Sequence, residues 1–104
     1  MTKFTVDRCY DRYIVTMAME DIEEGSTLET KLLLIRDILL AVIDGYRQSG
    51  QLRSVRIAND DAVLELDFES APGQEDMLAA AVDVMMSAMA ILADTYPDDV
   101  SVDA

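Results

Sequence analysis

Glu65, Asp67 and Glu69 alternate with Leu64, Leu66 and Phe68 in one short stretch. Such alternation predicts a strand with its apolar set facing inward and its acids facing out. Side chains on one strand face stand roughly 6–7 Å apart. Phosphates along a nucleic-acid strand are spaced by about 7 Å once helical winding is included. A carboxylate row at this spacing can imitate a phosphate backbone and attract a groove lined with Arg and Lys on another protein. Asp60, Asp61, Asp76 and Asp83 extend this candidate acidic face.

The charge is unevenly spread. The 104 residues include 8 Lys+Arg, 21 Asp+Glu and no His, for a net charge of −13. All the cations lie at or before Arg56, and twelve acids follow it. A chain this acidic is not expected to contact nucleic acid directly, because phosphate contact needs Lys and Arg. Two plainer readings compete with a partner-directed acidic face. The acids can simply keep the surface hydrated, or they can reflect salt adaptation, which suits the excess of Asp over Glu. The near-neutral first half argues against acid laid down everywhere.

Other chemistry finds little support. Without His there is no Ser–His or Cys–His catalysis and no imidazole metal site. Asn59-Asp60-Asp61-Ala62 lacks the phrase of a calcium loop. No glycine-rich phosphate loop or GxSxG motif occurs. Cys9 is a lone cysteine, so no intramolecular disulfide forms. An enzyme would have to work with carboxylates, Tyr10, Tyr13, Tyr46 or two lysines. No enzymatic activity, cofactor or metal is therefore expected.

These residues need elements to position them. Phe4–Val6 and Tyr13–Met19 read as strands joined by a turn at 8–12. Ser26-Thr27-Leu28-Glu29 is a capping box, so a helix is expected from Thr27 to about Arg47, ending near Ser49-Gly50. Ser54–Ile57 and Ala62–Glu69 form a second hairpin, with Ile57 set against Ala62 and Val55 against Leu64. A second helix runs from Gln74 to Thr95 and stops before Pro97. The expected fold is α+β: a two-layer sandwich in ββαββα order, with a four-stranded, mostly antiparallel sheet and both helices on one face. One domain spans 1–97, and 98–104 forms a frayed acidic tail.

The helices are more apolar than so small a sandwich requires. Leu28, Leu32, Ile35, Leu39, Val42 and Tyr46 form the expected seam of the first helix. Leu33 and Leu40 sit among charges opposite it and suggest a contact patch. The second helix confines its polar residues to Asp76, Asp83, Ser87 and Asp94. Met85, Met86 and Met89 suit either a core or an adaptable binding surface. A homodimer is expected, with the second helix or the Leu33–Leu40 patch at its interface.

Two functions follow as expectations. The first is a small acidic inhibitor of a basic, nucleic-acid-handling protein, working as a nucleic-acid mimic. In size and charge the chain resembles phage anti-defence proteins of that class. The alternative is a homodimeric adaptor binding through apolar helix surfaces. The acidity and paired elements resemble secretion chaperones, although those typically begin with a helix. No signal core opens the chain. The stretch Met77–Ala93 is short for a bilayer span and contains Asp83, so a cytoplasmic setting without a membrane partner is expected.

Overall fold

The computed structural model describes residues 1–59 and 63–103. Its elements are β1 (Thr2–Cys9), β2 (Arg12–Met19), α1 (Thr27–Gln48), β3 (Leu52–Asn59), β4 (Val63–Ser70), α2 (Glu75–Thr95) and β5 (Val100–Asp103). One sheet runs in the order β3-β4-β2-β1-β5. Its pairs are antiparallel except β1–β5, which is parallel. The α+β class and the ββαββα order are as expected, and a fifth strand is added.

That strand replaces the expected frayed tail. Val100 and Val102 stand beside Thr2 and Phe4 of β1, and Val100 is buried. The alternation Val100-Ser101-Val102-Asp103 is a genuine strand signal. It is too short to outweigh the neighbouring acids when read alone.

The sheet has one covered face. Phe4, Val6, Tyr13, Val15, Met17, Leu64, Leu66 and Phe68 are buried there and share one core with both helices. Tyr13 and Phe68 stack with ring centroids 6.0 Å apart. α1 contributes Leu28, Leu32, Leu39 and Ile43, and α2 contributes Leu78, Val82, Met89 and Leu92. By length and composition α2 can also cross a membrane, with mean hydropathy 1.7. In this fold it lies along the sheet.

The turns explain where the elements stop. β1 and β2 extend further than their apolar cores suggest and leave Tyr10-Asp11 as the hairpin loop. Tyr10 takes φ 55°, a left-handed conformation that bulky residues rarely adopt. Ser26 caps α1 by accepting from the Glu29 N–H at 3.1 Å. The reciprocal bond is displaced by one residue, since Glu29 Oε1 accepts from the Gly25 N–H at 3.0 Å. Gly50, at φ 79°, supplies the left-handed residue that ends α1.

The β3–β4 register corrects the expected one. Ile57 pairs with Leu66 and Val55 with Phe68, and the ladder reaches Asn59↔Leu64. β3 simply runs two residues further than the apolar pattern marks. The partners shift by an even number, so each side chain keeps its face. The expected turn at Asn59-Asp60-Asp61 lies largely outside the described residues.

Candidate functional site

The acidic row of β4 projects from the uncovered face of the sheet, as its alternation requires. It is not left alone there. Arg12 of β2 reaches diagonally to Asp67, with Nε 2.9 Å from Oδ1 and Nη2 2.5 Å from Oδ2. Arg53 Nη1 lies 3.2 Å from Glu69 Oε1. Arg56 stands directly opposite Asp67 across the β3–β4 ladder. Only Glu65 of the three has no ion pair among the described residues. Its cross-strand neighbours are Thr16 and Ala58.

Strand order accounts for this neutralisation. β4 lies between β3 and β2, and both neighbours carry arginines, Arg12 on β2 and Arg53 and Arg56 on β3. No cation follows Arg56 in the sequence, yet the strand order sets Arg12, Arg53 and Arg56 against the row. The hydrogen bond from Arg12 holds the Asp67 carboxyl below its ordinary range, against a smaller opposing effect of burial. The same hydrogen bond raises the Arg12 guanidinium. A shallow hollow of about 550 Å³ beside this pair includes Cys9, Tyr10, Ser54 and Arg56. A carboxylate kept ionised by arginine is poorly suited to donate a proton. Among the described residues no three acidic or cysteine side chains gather as metal ligands.

Asp76 and Asp83 do not join this row. They belong to α2, which covers the opposite face of the sheet. Asp60 and Asp61 lie outside the described residues. Asp76 and Asp83 thus share no face with Glu65, Asp67 and Glu69.

The candidate apolar contact residues lie at different depths in the fold. Leu40 is half-buried and packs against the core, and Leu33 is half-buried on the same flank of α1. Met89 is fully buried, and Met85 and Met86 are packed against the core. The α1 face toward the sheet is centred on Leu32, Leu39 and Ile43 rather than on the seam through Val42. That rotation turns Leu34, Ile38 and Val42 outward.

α2 presents a matching crest. Met77, Val84 and Ile91 recur every seven residues, and Val84 and Ile91 are 69% and 67% exposed. The helices run antiparallel: the α1 start and α2 end share one hollow, and the α1 end and α2 start share another. Between them lies a groove of about 290 Å³, walled by Ile35, Ile38, Val42 and Tyr46 on one side and Ala81, Val84, Met85 and Ala88 on the other. No charged side chain lines it. At 100° per residue, Asp37 and Asp44 fall on the outer flank of α1, and Asp76, Asp83 and Asp94 on the outer flank of α2.

The sequence signal for this face was the width of the apolar arc. Leu34, Ile38, Ala41 and Val42 lie at helical spacing along the edge of the core seam. One sheet cannot cover so broad an arc. No protein-family model matches the chain, and no curated protein matches it.

Proposed function

We propose that this protein is a non-enzymatic interaction protein that works through the apolar face of α1 and α2. One observation carries this reading. Six large apolar side chains, Leu34, Ile38, Val42, Met77, Val84 and Ile91, lie exposed on the two helices, and Ile38, Val42 and Val84 among them line an apolar groove. Monomeric proteins rarely expose a contiguous patch beyond about 300–600 Å², and larger patches mark interaction sites. The acidic row is the weaker candidate because Arg12, Arg53 and Arg56 already stand against it.

A charge-driven role keeps a narrower basis. Asp76, Asp83 and Asp94 are exposed and have no ion pair among the described residues. They offer a stripe at which a basic protein can bind beside the apolar face.

The test compares two surface variants for binding of a fluorescent apolar dye, self-association and recovery of host proteins from lysate. Val84→Glu should change all three, and Glu65→Lys should change none. The reverse pattern would return the function to the β4 row.

A further inference from the structure

We infer that the occupant of the α1–α2 face is a second copy of this chain, packed about a two-fold axis. The inference rests on the interaction-face reading and names the partner. The face carries both a ridge and a groove. Val84 and Ile91 project from α2, and the groove beside them is apolar throughout. A surface bearing both complementary shapes satisfies an isologous contact, in which the ridge of each copy enters the groove of the other. A site for a single foreign helix needs only the groove.

Small residues permit the close approach. Ala81 and Ala88 wall the groove, and Ala41 and Gly45 are exposed on α1. They let two helix layers interdigitate. A standard stable interface takes about 800 Å² from each partner. Leu34, Ile38, Val42, Met77, Val84 and Ile91, each 39% to 69% exposed, contribute apolar area toward that figure. Charge placement completes the fit. The helix acids stand on the outer flanks, so the contact strips water from no carboxylate there. The remaining cost is long-range repulsion between two chains of net charge −13. That repulsion is screened by salt.

Analytical ultracentrifugation of the full chain tests the inference. The expected mass is twice the 11.5 kDa of the chain. Dimerisation should tighten between about 0.1 and about 1 M NaCl, as the screening length falls from about 10 Å to about 3 Å. Val84→Glu and, independently, Ile38→Glu should each weaken it by at least about tenfold, with circular dichroism confirming that both variants fold. A dimer that both folded variants leave intact would overturn the inference by placing the contact elsewhere. A monomer that binds the apolar dye, or a synthetic basic amphipathic helix, would overturn the second-copy inference and leave the interaction face standing. A monomer that binds neither would overturn both.

Discussion

Arg12 and Asp67 are not opposite one another in the sheet. Arg12 faces Glu69 across the β2–β4 ladder, and Asp67 faces Ile14. The guanidinium bridges that diagonal and places two nitrogens on the two carboxylate oxygens. Two parallel bonds fix the geometry as a single contact does not. The pair joins β2 to β4 on the face that no helix covers.

This bond gives stability a defined pH dependence. Asp67 has a lowered folded value, so its contribution is fully present above the unfolded value of about 3.9. It is lost as pH falls through the folded value. Asp67→Asn should lower the melting temperature by a few degrees at neutral pH, and the difference should shrink progressively as pH falls below about 4. Thermal melts across the acid range check this. A difference that persisted unchanged at about pH 2 would assign the effect to packing.

Charge reversal along β4 should not be uniform. Glu65→Lys should leave the melting temperature unchanged within error, because its neighbours are Thr16 and Ala58. Asp67→Lys should lower it clearly, since the new ammonium meets Arg12 and Arg56. Equal effects from the two variants would show that the arginines move away freely.

The sheet and helices were legible because their signals are local. The capping box at Ser26, the alternation from Leu64 to Glu69 and the break before Pro97 each fix an element from a few neighbouring residues. The neutralisation of Asp67 was hidden because Arg12 lies 55 residues away. Only the strand order brings them together. The rotation of α1 was hidden for a different reason. Val42 and Ile43 are adjacent apolar residues, and a helical wheel cannot say which of them the sheet takes. The exposed face followed from that choice, and Leu33 and Leu40 lie half-buried on the other flank.

Core and flank positions should separate by energy. Met89→Ala removes a fully buried side chain and should cost about 2–5 kcal/mol. Leu33→Ala, at a half-buried site, should cost less than about half of that. Urea denaturation measures both. Comparable losses would place Leu33 in a packed environment.

Tyr10 is a site for stabilisation. It is 95% exposed, and its left-handed backbone earns no compensating contact from the side chain. Tyr10→Gly should stabilise the fold by about 0.5–1 kcal/mol, since a positive φ at only the first residue of a two-residue hairpin loop is the position that favours Gly. Loss of stability in urea denaturation would mean that the tyrosine ring packs favourably on the sheet.

The parallel β1–β5 pair has a consequence for how the chain folds. β1–β2 and β3–β4 are hairpins that can close within their own sequence, whereas Thr2 must wait for Val100. Nearly the whole chain becomes the loop that this last pairing closes, and its entropy cost falls late in the reaction. Until then β1 offers a bare edge to any other strand. The short strand at residues 100–103 therefore acts as a time limit on exposure: whatever delays its arrival prolongs the interval in which two nascent chains can pair wrongly.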